Sequence, residues 1–301
     1  MKNYVNFLQK QILILKRKFY LLKKTQHIIR YRNSGFVPWS KGYFEYKHRY
    51  IQNTLNDPGL LQVFRTGKRL PLGYGWRLDE RVIEYPWVFS KILDTSSTFL
   101  DAGSVMNFDD LLTRLRSMKK EISILTLAPE KQCYWYKSIS YNFADLRRLP
   151  FRDEWFDEIV CISTLEHVGM DNTGYGAPRS EYVTSDYIAA ANELLRVLKD
   201  KGKLLITIPF GKHQEVKRGG KIFMQQFDSH LLNNLRAVFF NCQVGVQFYK
   251  YTAGGWNISV ESDCQSVEYF NIHETPKIDP DGAAAARSVA CIDVTKIDLR
   301  K

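Results

Sequence analysis

Hydrophobic and polar positions divide this chain into three stretches of different rhythm. In residues 1–30, Val5, Leu8, Ile12, Leu15, Phe19 and Leu22 recur at alternating spacings of three and four. Phe7, Ile14, Leu21 and Ile28 make a second apolar row, and the stretch has no Gly or Pro. That spacing predicts a helical arm over residues 1–33. Between residues 34 and 90 no clean period survives, and aromatic residues mix with Gly and Pro, as in "NSGFVPWSKGYFEYKHRY". This reads as a linker with short helices that packs on a main domain. From residue 91 to 301 apolar runs of strand length alternate with helical periods. Strands are expected over Thr98–Ala102, Ile122–Leu127, Ser140–Phe143, Glu158–Ser163 and Lys203–Pro209, and later over Val244–Tyr251 and Ser288–Val294. Helices are expected over Phe108–Met118, Asp186–Lys199 and Gln225–Phe240; in the second, Ile188, Ala191, Leu195 and Leu198 share one face. Strands alternating with helices imply an α/β fold with a doubly wound parallel sheet. Ligands of such sheets sit beyond the carboxyl ends of the strands, where the strand order reverses.

Charge changes the picture of the arm more than that of the body. Residues 1–50 hold twelve Lys or Arg against the single acid Glu45, which accounts for the whole formal net charge of +11. The remaining chain is balanced. A nucleic-acid enzyme would spread basic residues over its active face, so nucleic acid is an unlikely partner. Basic residues also interrupt the arm too often for a membrane span, which needs roughly 18 apolar residues, and its "ILIL" core is too short for a secretion signal. The arm can lie on an anionic membrane surface, dock a partner protein through its stripe, or bind nucleic acid nonspecifically. Five scattered cysteines (Cys133, Cys161, Cys242, Cys264, Cys291) offer no C-x-x-C pair. They suit a reducing, cytoplasmic setting, peripheral to the inner membrane face if the arm binds lipid, and they give no metal-site spacing.

Chemistry-bearing residues follow the strands. After the first come Asp101 and Gly103; after the third, "ADLRRLPFRDEWFDEIV" with Asp145; after the fourth, "STLEHVGMDNTGYG"; after the fifth, "IPFGKH". The ordered set "LPF", "FDEIV", "EHV" and "ELLRVLKDKGKLLITIP" resembles the class I S-adenosylmethionine-dependent methyltransferases. The likeness spans roughly residues 95 to 295. The later segments "QQFDSHLL", "GWNIS" and "DGAAAARSVACIDVTK" are similar to methyltransferases found among bacterial surface-polysaccharide enzymes. The resemblance implies a Rossmann-like doubly wound sheet of the class I type, carrying the basic helical arm as an amino-terminal extension, and S-adenosylmethionine as cofactor.

That cofactor explains a glycine loop reduced to Gly103. A dinucleotide's pyrophosphate needs several glycines for close backbone approach, whereas S-adenosylmethionine has no phosphate. An acid for its ammonium and one close-approach glycine can suffice, and Asp101 and Gly103 supply these. Asn107 and Asp110 are expected to cap the helix that follows. The resemblance assigns Asp145, followed by Leu146, to the adenine, with Ala102 and Ser163 at neighbouring strand ends completing the cofactor set. The family's ribose acid at the end of the second strand is missing. Either Glu130 reaches back or the ribose is held differently.

An O-methyltransferase benefits from a general base, commonly His or a carboxylate. Glu166–His167 is the leading pair, with Glu166 orienting the imidazole or the pair merely shaping the pocket floor; His213 after the fifth strand is the reserve. The loop from Met170 to Tyr182 lies where substrate enters, and Asp171, Tyr175 and Arg179 are candidate contacts. These readings point to a methyltransferase acting on a sugar or glycan intermediate of cell-surface polysaccharide synthesis. The alternatives are another small-molecule acceptor, or a catalytically inactive scaffold subunit. Base N-methylation would want a [DNS]-P-P-[YFW] segment where Ser163–Thr164–Leu165–Glu166 stands.

Overall fold

The computed structural model describes residues 22–272 and 285–298, with residues 11, 15, 19, 274 and 282 besides. Most of the predicted arm therefore lies outside the described residues; within them, residues 22–33 are helical (α1). The end of α1 is docked, because Tyr31 is fully buried and its ring stands edge-on to Phe36 and Tyr43. Leu22 at the start of α1 is 63% exposed, and Leu15 and Phe19 ahead of it are 64% and 71% exposed.

Ten strands follow the helices of the amino-terminal half. They are β1 (Ser97–Ala102), β2 (Lys120–Thr126), β3 (Ser140–Phe143), β4 (Phe156–Ile162), β5 (Leu198–Pro209), β6 (Gln214–Arg218), β7 (Lys221–Gln226), β8 (Cys242–Thr252), β9 (Gly255–Ser259) and β10 (Ser288–Lys296). Eight form one sheet in the order β3-β2-β1-β4-β5-β10-β8-β9, and β6 pairs only with β7. The first five pair in parallel, while β10, β8 and β9 join antiparallel. The expected parallel sheet is therefore mixed at its carboxyl-terminal side. Chain order reverses between β1 and β4, which are neighbours.

Side chains of the central strands alternate between two apolar layers, as the two-residue period of a strand requires. Phe99, Ile122, Ile124, Val160 and Ile162 face one layer; Leu100, Leu125, Ile159, Cys161 and Ile206 face the other. Helices α6 (Tyr187–Val197) and α7 (Ser229–Val238) cover the second layer.

The first layer is covered by α2 (Tyr43–Leu55), α3 (Pro58–Thr66), α4 (Arg81–Lys91) and α5 (Asp109–Ser117). Three of these belong to the stretch expected to hold short helices packed on the main domain, and they supply much of this layer. Helix α4 is buried from Val82 through Ser90. A helix covered on every side has no polar face, so its sequence shows no period. In α2 the inward residues include Tyr43, Tyr46 and Tyr50, an aromatic stripe at spacings of three and four.

Two other expectations shift. The helix expected over Gln225–Phe240 starts at Ser229, because the Asp228 carboxylate accepts from Leu231 N at 2.9 Å and caps it there; Gln225 and Gln226 end β7. The β6–β7 hairpin was not foreseen. Gly219 and Gly220, at φ 59° and 78°, make its two-residue turn, a position where two consecutive positive φ values are needed.

Candidate active site

Gly103 is where the β1 loop meets the β4 loop. It stands at φ +119°, and a Cβ there would lie 2.3 Å from Thr164 Oγ1, so only glycine lets the two loops close on each other. Asp101, fully buried beneath, accepts from Met106 N at 2.8 Å through Oδ2 and ties the turn together. Its Oδ1 has no partner among the described residues. Burial pushes this carboxyl up to about 7. Ala102 is likewise buried and lies outside the pocket lining. Asn107 does not cap α5: the cap position is Phe108, and the Asn107 amide instead donates to Glu130 Oε2 at 2.6 Å and to Gln132 O at 3.0 Å. Asp110 is drawn to Gln52 of α2.

Beyond these strand ends opens a pocket of about 780 Å³, inside the range of roughly 300–1,000 Å³ typical of small-molecule sites. Gly103 lines it after β1, Leu125 to Leu127 and Glu130 after β2, Asp145 and Leu146 after β3, and Ser163, Thr164 and His167 after β4. The entry loop adds Tyr175 and Arg179, and α4 adds Arg81. The Asp145 carboxylate receives Arg147 Nε at 3.0 and 3.1 Å and the Arg147 amide at 2.8 Å, contacts that hold its carboxyl below the ordinary range against the opposing effect of burial. Arg147 also pairs with Glu181 at 2.8 Å and Asp186 at 2.6 Å. With Arg147 Nη2 also donating to Oδ2 at 2.5 Å, three guanidinium contacts and one backbone amide occupy most of the acceptor sites of this carboxylate, and a ligand that uses it shares them with Arg147.

His167 and Glu166 part company. His167 Nδ1 lies 2.7 Å from the carbonyl oxygen of Phe223 on β7. A carbonyl only accepts, so Nδ1 carries the proton and Nε2 keeps its lone pair in the neutral ring. Burial lowers the ring to about 4. The expected Glu166–His167 orienting bond is not among the contacts; the hairpin carbonyl does that work. Glu166 is buried within a short helical turn and its Oε2 has no partner among the described residues. Burial raises its carboxyl well above the usual range. His213 is exposed at the base of the hairpin, and both it and the half-buried Asp171, whose Oδ1 takes the Thr173 hydroxyl at 2.9 Å, lie outside the lining.

Sequence reasoning missed α4. Glu84, fully buried, accepts from Ser163 Oγ at 2.5 Å and Thr207 Oγ1 at 2.7 Å, and pairs with Arg81 at the pocket wall. The available signal was a carboxylate inside the apolar run "RVIEYPWVF", since a charge in such a run requires a partner.

A parallel β1–β5 core in the order 3-2-1-4-5, with antiparallel strands added beyond β5 and a pocket at the reversal, defines a Rossmann-like fold of the class I methyltransferase type. Residues 121–206, from β2 into β5, match the family described as "Methyltransferase domain". Over 65 residues the chain is 37% identical to an uncharacterized protein of Methanocaldococcus jannaschii, covering 22% of this chain and 21% of that protein. The chain thus spans about a fifth of the length of this curated relative. Among solved structures, the 1,6-didemethyltoxoflavin-N1-methyltransferase of Burkholderia thailandensis is 10% identical, with 94% of this chain and 90% of that chain covered at a TM-score of 0.44. A methyltransferase of Methanosarcina mazei is 14% identical, with 71% and 98% covered at a TM-score of 0.44.

Proposed function

We propose that the protein transfers a methyl group from S-adenosylmethionine to a hydroxyl of a sugar or glycan intermediate of cell-surface polysaccharide synthesis. The observation that carries this reading is the pocket at the strand-order reversal, with Gly103 on one wall and the neutral His167 ring on another. Asp101 is fully buried and lies outside the pocket lining, directly beneath the glycine loop, and its Oδ1 is without a partner among the described residues. Asp101 and Gly103 hold the amino-acid end of the cofactor, Glu130 the ribose, and Asp145 the exocyclic amine of adenine, with Leu146 against the ring. Ala102 backs the glycine loop and Ser163, fixed by Glu84, borders the methyl-bearing end.

When bound, the cofactor supplies an electrophilic methyl on a sulfonium. The rest is positioning and one proton. Holding the acceptor oxygen in line provides much of the acceleration. As that oxygen forms its new bond to carbon its proton becomes strongly acidic, so a weak base suffices. His167 Nε2 takes it, and the Phe223 carbonyl stabilises the resulting imidazolium through Nδ1–H. The arm ahead of α1, whose Leu15 and Phe19 are bare, holds the enzyme at an anionic membrane surface where lipid-linked glycans are assembled.

The test is transfer of a radiolabelled methyl from S-adenosylmethionine to a panel of sugar, glycan and small amine acceptors. Label in a base-stable ether on a sugar supports the reading. Label only in amine products contradicts the hydroxyl acceptor.

A further inference from the structure

Positive charge stands at the pocket mouth with no carboxylate committed to it. Arg179 lines the pocket from the entry loop. Arg218 ends β6 at the hairpin tip, and its Nη1 lies 3.8 Å from where a Cβ on Gly174 of that loop would stand. The hairpin is fastened to the loop: Asp171 N–H donates to Ile222 O at 2.9 Å, and the Tyr182 hydroxyl donates to Glu215. Lys217, Arg218 and Lys221 flank the exposed Gly219–Gly220 turn.

The acids of this region are already engaged. Glu181 pairs with Arg147 at 2.8 Å, Glu130 accepts from Asn107, and Asp171 accepts from Thr173 with Lys221 at 4.0 Å. Among the described residues neither Arg179 nor Arg218 has a carboxylate partner. Arg218 stands outside the pocket lining, against Gly174 of the same loop that carries Arg179 into it, and the planar fork of a guanidinium matches phosphate oxygens in bidentate fashion.

We infer that Arg179 and Arg218 form a subsite for a phosphate or diphosphate carried by the acceptor. This rests on the methyltransferase reading, which places the acceptor at this end of the pocket. The hairpin then acts in two ways: its Phe223 carbonyl sets the tautomer of His167, and its tip anchors the charged end of the same substrate. A phosphate held by both the loop and the hairpin fixes the distance from anchor to reacting hydroxyl.

The experiment is isothermal titration of inorganic pyrophosphate into the full chain, with and without S-adenosylhomocysteine. Arg179→Gln and Arg218→Gln are each expected to weaken pyrophosphate by about tenfold or more, as for loss of a charge-assisted hydrogen bond. The single variants Arg69→Gln and Arg116→Gln, which each remove the same charge from exposed sites elsewhere, leave that affinity unchanged. S-adenosylhomocysteine affinity stays the same in all variants. Absence of pyrophosphate binding at millimolar concentration overturns the inference, as does an equal loss in the control variants. Failure of S-adenosylhomocysteine alone to bind overturns the parent reading, while the pyrophosphate titrations still decide this one. Uridine diphosphate and farnesyl diphosphate in separate arms identify a nucleoside or a lipid as the remainder of the acceptor, by which of them binds more tightly than pyrophosphate.

Discussion

Gly103→Ala separates two costs that the structure puts at one position. The backbone there stands at φ +119°, a conformation that costs a residue with a side chain about 1–3 kcal/mol. The new methyl would also lie 2.3 Å from Thr164 Oγ1 and 2.6 Å from its Cγ2, an overlap worth about 1–3 kcal/mol by the measure of overpacked cores. The substitution is expected to cost about 2–6 kcal/mol in all. Thr164→Ala deletes both clashing atoms and leaves its Cβ at 3.0 Å. By itself it loses the hydroxyl bond to Ile162 O at 2.8 Å, about 1 kcal/mol. The double variant therefore recovers the steric share and keeps the backbone share, giving a favourable coupling of about 1–3 kcal/mol. Urea unfolding followed by tryptophan fluorescence measures all four corners of the cycle. A cost below about 1 kcal/mol for Gly103→Ala, or additive single variants, refutes the loop contact on which the pocket is built.

Three further outcomes follow from the same geometry. Glu84→Gln keeps an acceptor for Ser163 and Thr207 but leaves Arg81 unpaired, so it should cost about 3–5 kcal/mol in urea unfolding, and a loss below 1 would show that α4 is dispensable to the pocket wall. His167→Ala should lower turnover about a hundredfold or more with S-adenosylhomocysteine affinity nearly unchanged; near-normal turnover would reduce His167 to packing. The ring stands at about 4 when folded against an ordinary 6.5, so the unfolded chain binds the extra proton and the contribution of His167 to stability, complete above 6.5, is lost as pH falls towards 4. The stability difference between the wild type and His167→Gln should therefore shrink by up to about 3 kcal/mol across that window, and a constant difference contradicts the neutral ring.

The strands that build the site were legible because each carries a short apolar run ended by a polar turn. Expected bounds for β1 and β3 come within one residue of those observed, and Gly103, Asp145, Ser163 and His167 all reach one pocket. What escaped was set by contacts across the chain. Glu84 meets Thr207, 123 positions away, and nothing local announces that bond. Residues 34–90 looked like a linker because aromatic and fully buried helices lack the aliphatic stripe that marks an amphipathic one. The helix expected from Gln225 takes in only the last two residues of β7, since "QQFDSHLL" has no break except the Asp228 cap, and the rest of the hairpin carries no expectation. Asn107 had the right chemistry for a cap, yet its amide found better partners in Glu130 and Gln132.

The central claim, that the pocket at the end of β1 through β4 holds S-adenosylmethionine, is tested most directly by isothermal titration of S-adenosylhomocysteine into the full chain. The account predicts binding at one site per chain, weakened by about 1–3 kcal/mol in Asp145→Ala through loss of a charge-assisted hydrogen bond. No heat at millimolar ligand would contradict it.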